Sequence, residues 1–348
     1  GYTEHYYDLP GEVFDDAITF FTAFEGMEKG FKQRARAVDA LLAAGAHVTF
    51  CCRSIRAGTR AVLERRGIPV VHLADEEAFL GRDWSGAIVI VDGYQFGEDF
   101  WQRLLATHPR RTVCIDDLRD IRYVADLVLC NNEGVSASQF RLASGTRLLL
   151  GGRYLLLRPE IRTAARLADQ PTPRRAVMLA AGATRQEQWV AEMLERLAPV
   201  EPRTPVWVLS GRRLPAGKVV RRSGLCRGQV RFFSGMGATG MLRLYRRARY
   251  LVAPASTVML EAFAAGCPLI SGWVAGNQRN SLDFYARQGL IVNVGDLRHA
   301  TRDALTRARV RVGRQSGRMI RRQRAYVAAA EAGIGEIVQV ILASDNRI

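Results

Sequence analysis

The sequence predicts an α/β protein of two domains, each built on a parallel sheet. Its 348 residues are enough for two domains of ordinary size. Short apolar runs alternate with amphipathic segments, the pattern of strands buried on both faces and joined by helices. The alternation pauses at residues 168–173, where two prolines and polar residues are typical of a linker. A hydrophobic content of 48% indicates a globular chain.

The first series of elements follows an acidic, tyrosine-rich extension at residues 1–16 and predicts a domain over residues 17–160. The predicted strands are 17–24, 47–52, 68–73, 87–91, 111–115, 125–130 and 147–151. The predicted helices are 31–44, 58–66 and 98–107, the first with apolar residues at helical spacing.

The second series predicts a domain over residues 174–313, followed by a helical tail at residues 314–348. Its predicted strands are 175–181, 205–210, 230–233, 250–253 and 268–271. One helix is expected to end at Leu197 and another to begin near Ser256. In open α/β sheets ligands bind at the carboxyl ends of the strands, so those ends are the expected site.

A formal charge of +16 is typical of nucleic-acid-binding proteins, but the rest of the composition does not favour nucleic-acid binding. Only three of the fifty basic residues are lysines, a skew typical of codon bias. The arginines are spread along the chain, and aromatic residues do not interleave with them as a base-stacking surface requires. We expect no specific nucleic-acid partner. Anionic sugar nucleotides, an anionic membrane surface or a lipid-linked acceptor suit this charge better.

The six cysteines show no C-x-x-C spacing, and most lie in apolar strand-like runs. Free buried thiols in a reducing cytoplasm are therefore expected, rather than disulfides or zinc. No unbroken apolar run approaches the ~18 residues of a membrane span, and no apolar signal segment opens the chain. These features predict a cytoplasmic location.

The most informative segment is residues 254–268, which predicts a turn and a helix between two buried strands. Ser256 and Thr257 stand at the predicted helix start, where their hydroxyls would act as caps. The free N–H groups of such a helix start favour a phosphate. Glu261 lies one turn further on the same face, within reach of sugar hydroxyls. The alternative is a capped core helix with an exposed Glu261 and no ligand.

Several motifs, in order, resemble one family of sugar-nucleotide enzymes. They lie at Gly30 with Arg34, and at residues 91–94, 114–117, 125–132 and 150–161. Together they are similar to the UDP-sugar hydrolase of pseudaminic acid biosynthesis, which cleaves UDP from a 2,4-diacetamido-trideoxy sugar, and to its spore-coat polysaccharide branch. The second half also resembles the peptidoglycan GlcNAc transferase. The resemblance covers residues 17 to 296.

The resemblance implies a GT-B fold, in which two Rossmann-like domains face one another across a cleft. It also implies a UDP or UDP-sugar ligand, no cofactor and no metal. Residues 181–184 stand where the family has Gly-Gly-Thr-Asp. The residues expected to bind substrate are Lys29, Gly30, Phe31, Tyr94, Gly182, Thr184, Ser256, Thr257, Glu261, Asn277 and Gln278.

The first loop departs from the family pattern. Phe31 stands at the position of the family's histidine, the group taken to activate water, and Glu28 replaces a glycine. Gly93 occupies the middle of the Asp-His-Tyr motif. A phenyl ring cannot take a proton, so the family's route to hydrolysis lacks its base. The carboxylates Asp92 and Glu28 are the candidate catalytic groups, with Glu25 as a further one.

Three hypotheses about function remain open at this point. The protein is a sugar-nucleotide hydrolase with a relocated base, a glycosyltransferase in which an acceptor hydroxyl replaces water, or a binding protein that has lost its chemistry. Asp116 and Asp117 end a predicted strand, where they either cap the next turn or bind a metal ion. Asn277 and Gln278 either contact the uridine nucleotide or form an Asx turn.

Overall fold

The computed structural model describes the backbone of most of the chain. The described residues are 17–22, 37–55, 57–93, 95–155, 172–181, 187–198, 200–201, 203–211, 213–225 and 227–343. Clustering of contacts divides the chain into two units. Unit 1 comprises Gly1–Asn132, Ser136–Leu156 and Glu331–Ile348, and unit 2 comprises Glu133–Val135 and Leu157–Ala330.

Unit 1 is built on a seven-stranded parallel sheet and a small two-stranded parallel ribbon. The strands are β1 Ala17–Thr22, β2 His47–Cys52, β3 Val70–His72, β4 Ile88–Asp92, β5 Arg111–Ile115, β6 Arg122–Tyr123, β7 Leu127–Cys130, β8 Arg141–Leu142 and β9 Arg147–Leu150. The strand order in the sheet is β3-β2-β1-β4-β5-β7-β9, and the ribbon pairs β6 with β8. Its helices are α1 (residues 37–43), α2 Ala57–Glu64, α3 Glu76–Leu80 and α4 Glu98–Leu105.

Unit 2 is built on a six-stranded parallel sheet. Its strands are β10 Ala176–Ala180, β11 Val206–Ser210, β12 Val230–Ser234, β13 Ala248–Pro254, β14 Leu269–Trp273 and β15 Val292–Asp296. The strand order in the sheet is β12-β11-β10-β13-β14-β15. Its helices are α5 Glu187–Leu197, α6 Ala216–Ser223, α7 Ala238–Arg247, α8 Thr257–Ala264, α9 Arg279–Arg287 and the start of α10 Arg302–Leu342.

Both sheets place their first strand next to their fourth, the 3-2-1-4 arrangement of the Rossmann fold. The strand order reverses between β1 and β4 in unit 1 and between β10 and β13 in unit 2. At such a reversal the connecting helices lie on opposite faces of the sheet, and a crevice opens at the carboxyl ends of the two strands. The topology therefore marks one expected ligand position in each unit.

The predicted strands are confirmed to within a few residues, and β2 and β5 match their predictions at both ends. The predicted helical tail begins earlier than expected, because α10 starts at Arg302 rather than near residue 314. Leu305, Ala308 and Val312 in this earlier part are buried in the core of unit 2. Helices α3, α6, α7 and α9 were not predicted.

The last part of α10 packs in unit 1, where Ile337 and Ile341 are buried in the core. The Arg111 guanidinium donates hydrogen bonds to the carbonyls of Val340, Ile341 and Ala343 at 2.7–2.9 Å, so it caps the end of the helix. By length and composition alone α10 could cross a membrane. The sequence predicts no such segment because charged residues interrupt the apolar stretch.

Five of the cysteines are buried free thiols, as predicted: Cys51, Cys52, Cys114, Cys130 and Cys267. Burial raises the pKa of each, to about 12 for Cys51 and to about 11 for Cys52. A thiol with so high a pKa is almost entirely protonated near neutral pH and reacts slowly. Cys226 lies outside the described residues.

Candidate functional site

The expected ligand position in unit 2 lies where β13 ends and α8 begins. Ser256 precedes the helix in an extended conformation, with φ −135° and ψ −176°, and α8 starts at Thr257. The N–H of Ala255 donates to the carbonyl of Gly272 at 3.0 Å, which ties this turn to the end of β14. The helix start is thus fixed at the carboxyl edge of the sheet.

The predicted hydroxyl cap at Ser256 is wrong, because its side chain makes no capping hydrogen bond. The Ser256 carbonyl instead accepts a hydrogen bond from the N–H of Met259 at 2.8 Å. That N–H is one of the two that a capping hydroxyl would bind, so the backbone has taken over the role of the side chain.

The N–H groups of Thr257 and Val258 remain available at this helix start. No described residue accepts a hydrogen bond from either, and both residues are partly exposed. An α-helix leaves its first N–H groups without partners in the helix, and the positive end of its dipole adds to their attraction for an anion. The arrangement can bind a phosphate group.

Glu261 lies one turn into α8, on the same face as Thr257. It is 5% exposed, which is unusual for a glutamate. The prediction of an exposed glutamate, which accompanied the hypothesis of a simple core helix, is therefore wrong. A buried carboxylate beside a free helix start is suited to accept hydrogen bonds from hydroxyl groups.

Asn277 and Gln278 lie in the turn that follows β14, the neighbour of β13 in the sheet. The side-chain oxygen of Gln278 accepts a hydrogen bond from the N–H of Val274 at 2.9 Å. Asn277 is exposed. The structure thus brings both amides and the start of α8 to the carboxyl ends of adjacent strands. The Gln278 side chain also stabilises the loop in which it lies.

Arg279 and Arg298 contact Trp273, the last residue of β14. Neither arginine was predicted as a site residue. The guanidinium carbon of Arg279 lies 4.1 Å from the centre of the indole ring, and that of Arg298 lies 5.1 Å away. Such cation–π contacts hold a guanidinium in place while its N–H groups remain free to donate. The sequence held two signals of this contact. A tryptophan lies two residues after the predicted strand 268–271, and an arginine directly follows Gln278.

The two arginines differ in how their charge is balanced. Arg298 donates two hydrogen bonds to Asp296, at 2.9 and 2.6 Å. These bonds are the main reason that the pKa of Asp296 lies well below its usual range, although burial opposes the shift. In the part of the chain that the structure describes, Arg279 has no ion pair. Arg279 therefore carries the uncompensated positive charge beside the turn.

In unit 1, Asp92 is the last residue of β4 and lies at the strand reversal. It is 8% exposed and is in register with Ile115, the residue before Asp116. The next residue, Gly93, lies close to Phe96: a Cβ added at Gly93 would be 2.7 Å from Phe96 Cε2. A histidine at this position would therefore require the Phe96 side chain to shift.

Asp116 forms a turn, as one of its predicted alternatives required. One carboxylate oxygen accepts from the N–H of Leu118 at 2.8 Å, and the other accepts from the Tyr123 hydroxyl at 2.5 Å. Burial and this bond raise the pKa of Tyr123. Asp117 accepts a hydrogen bond from Asn132 at 3.1 Å. Within the described ranges, no group of three or more His, Cys, Asp and Glu residues could hold a metal ion.

Some of the predicted site residues lie outside the described residues. They are Glu25, Glu28, Lys29, Gly30 and Phe31, which follow β1 in the sequence, Tyr94, and Gly182 and Thr184, which follow β10.

Comparison with known proteins identifies the fold. No family model matches the sequence, and no curated protein matches it. A glycosyltransferase from Rickettsia africae ESF-5 is 10% identical, with a TM-score of 0.65 over 94% of this chain and 99% of that one. MnaA of S. aureus with UDP is 9% identical, with a TM-score of 0.63 over 95% and 99%. MurG of Acinetobacter baumannii is 11% identical, with a TM-score of 0.59 over 94% and 99%.

These matches extend over nearly the whole of both chains, whereas their sequence identities are low. Likeness at this level shows the fold and not the activity. The chain has the two-domain, Rossmann-like GT-B fold that the sequence predicted.

Proposed function

We propose that the protein binds a UDP-sugar on unit 2 and transfers the sugar to an acceptor hydroxyl. The observation that carries the proposal is the start of α8, where two N–H groups without an acceptor among the described residues lie at the strand reversal. A helix start at this position of a Rossmann sheet is suited to the diphosphate of a nucleotide. Arg279 would add a positive charge on the same edge.

The uridine and sugar would be recognised by side chains around this diphosphate. Glu261 is the proposed partner of the ribose hydroxyls, because it is buried on the face of α8 that carries Thr257. Asn277 and Gln278 are the proposed partners of the uracil. Since the Gln278 oxygen is bonded to Val274, only its NH₂ group would face the ligand.

The comparisons support this proposal. One similar structure is described as a glycosyltransferase, and another contains UDP. Transfer is preferred to hydrolysis because Phe31 stands where the family hydrolase has its water-activating histidine. The pseudaminic-type bis-acetamido sugar remains one candidate for the transferred group, and a cytoplasmic location is part of the proposal.

Asp92 is the proposed base that deprotonates the acceptor. It is a buried carboxylate at the carboxyl edge of its sheet, on one of the two strands where the order reverses. Glu28 is the second candidate, from sequence alone. Replacement of Asp92 by asparagine should abolish turnover and leave UDP affinity unchanged, since the nucleotide is assigned to unit 2.

The binding proposal can be tested by removing one backbone donor. Thr257→Pro removes the N–H at the first helical position, where proline is well tolerated. The extended Ser256 already has the conformation required before a proline. We expect UDP binding, measured by calorimetry, to weaken about tenfold or more, as for the loss of a hydrogen bond to a charged group.

Thr257→Ala is the matched control, because it keeps the N–H and removes only the side chain. Equal losses in the two variants, or no loss in Thr257→Pro, would contradict the helix-start site. Product analysis of UDP-sugars with and without acceptors then separates the alternatives. UDP release in water alone would indicate a hydrolase, and tight binding without turnover would indicate a binding protein.

A further inference from the structure

One face of α10 carries a straight row of arginines, which we call the arginine ridge. Its members are Arg307, Arg311, Arg314, Arg318 and Arg321, and all five are exposed. At 3.6 residues per turn their spacing of 4, 3, 4 and 3 places them within roughly a quarter of the helix circumference. At 1.5 Å per residue the row is about 21 Å long.

The opposite face of the same helix segment is fixed in the core of unit 2. Leu305, Ala308, Val312 and Met319 are buried there. The sulfur of Met319 also accepts a hydrogen bond from the N–H of Leu269 at 3.3 Å. Because the helix is anchored along its length, the arginine ridge is presented outward as a rigid row.

The positive charge of the ridge is not balanced locally. In the described part of the chain, no ion pair or hydrogen bond joins the five guanidinium groups to another residue. Residues 304–330 contain no aspartate or glutamate. Other arginines of α10 are used within the fold: Arg309 donates to Glu201 at 2.6 Å, and Arg322 donates to the carbonyl of Gln288 at 3.1 Å.

The composition of the ridge favours a membrane over a nucleic acid. Val310 is 43% exposed and is the one large hydrophobic side chain that is exposed among the described residues. It lies one turn from both Arg307 and Arg314. Residues 302–324 contain no aromatic residue, so the ridge offers no surface on which bases could stack. Clustered arginines with an apolar point between them suit a layer of anionic headgroups.

We propose that the arginine ridge docks unit 2 on a membrane surface rich in anionic phospholipid. The contact is peripheral and electrostatic, and it does not depend on the proposed nucleotide site. A basic residue near an anionic bilayer strengthens binding about fivefold, and the effect falls off within a Debye length. The arginines of the ridge should therefore contribute more to membrane affinity than arginines on other faces of the protein.

The experiment measures co-sedimentation of the full chain with phosphatidylcholine vesicles that contain about 25% of the anionic lipid phosphatidylglycerol. The ridge variant is Arg311→Gln, Arg314→Gln, Arg318→Gln. The control is Arg221→Gln, Arg222→Gln, Arg243→Gln, which changes the net charge equally at exposed positions elsewhere in unit 2. We expect the ridge variant to bind about 100-fold more weakly and the control to bind nearly as the parent does.

A third variant, with lysine at the same three ridge positions, keeps the charge and should bind as the parent does. Equal loss in the ridge and control variants would overturn the proposal, because net charge would then suffice. If the parent protein binds pure phosphatidylcholine vesicles as strongly as the anionic vesicles, the proposal is overturned, because apolar insertion would then explain the binding. Displacement by millimolar inorganic phosphate would indicate a single-anion site instead. Loss of single-stranded RNA binding, with unchanged vesicle binding, would assign the ridge to nucleic acid.

Discussion

Gln278 accepts a hydrogen bond from the N–H of Val274 through its side-chain oxygen, at 2.9 Å. The bond closes the loop between β14 and α9, so this side chain has a structural role as well as the proposed contact with uracil. Only its NH₂ group is left to donate to a ligand. The two roles can be separated by substitution.

Gln278→Glu keeps the oxygen that bonds Val274 and removes the NH₂ donor. We expect the thermal midpoint of unfolding to change little, while calorimetry shows UDP affinity reduced about tenfold, because a donor is lost and a negative charge is added near the diphosphate. Gln278→Ala should lower both stability and affinity. Unchanged affinity in Gln278→Glu would leave the residue with its loop-closing role alone.

Arg279 and Arg298 contact the same ring but should differ in their effect on ligand binding. Arg279→Gln removes the uncompensated charge, so UDP affinity should fall about tenfold and depend less on salt. Arg298→Gln, the matched control, removes a charge already balanced by Asp296 and should change affinity little. Calorimetry at two salt concentrations measures both effects. A larger loss in Arg298→Gln would reverse the assignment.

Glu261 should contribute to UDP affinity if it accepts hydrogen bonds from ribose. Glu261→Ala should then weaken binding by about 1.5–3 kcal/mol, the range for hydrogen bonds that involve a charged group. Glu195→Ala, at an exposed position of α5, is the control and should bind UDP normally. An unaltered affinity in Glu261→Ala, with lowered stability, would make Glu261 a core residue of unit 2 without a ligand role.

The sequence was sufficient to predict every strand of the two large sheets except β15, because most are continuous apolar runs buried on both faces, as in β4 and β10. The short strands β6 and β8 were not predicted either. The missed helices carry weaker signals. In α6 the apolar positions are few, with only Val219 and Val220 as buried hydrophobic residues among arginines and small side chains. The start of α10 could have been found from the spacing of Leu305, Ala308 and Val312, which is helical, but its arginines obscured the pattern.

The position of the candidate site could also be predicted, whereas its hydrogen bonds could not. The carboxyl ends of parallel strands lie at one edge of each sheet. Asp92 in unit 1, and Ser256 and Asn277 in unit 2, were therefore correctly predicted to lie at or after strand ends. The sequence could not show that a backbone carbonyl replaces the Ser256 hydroxyl as the cap, or that Arg279 lies on Trp273. Both depend on the conformation of short loops, which no periodicity encodes.

Glu201 should control the acid stability of unit 2. Its carboxylate, 3% exposed as a residue, accepts from Thr204 at 2.7 Å, Tyr250 at 3.1 Å and Arg309 at 2.6 Å. Burial alone would raise the pKa of Glu201, but these hydrogen bonds and the charge of Arg309 lower it overall. A carboxyl whose pKa is lower in the folded state stabilises the fold above its unfolded pKa, and this contribution is lost as the pH falls through the folded pKa.

Glu201→Gln should therefore destabilise unit 2 at pH 7 by about 2 kcal/mol, or about 4–8 °C in the midpoint of its calorimetric transition. The difference from the parent should shrink as the pH is lowered below about 4.5, because the parent loses the same charge. Glu195→Gln, exposed on α5, controls for the loss of a carboxylate and should follow the parent at every pH. A destabilisation that stays constant down to pH 3 would mean that Glu201 stabilises unit 2 by its shape and not by its charge.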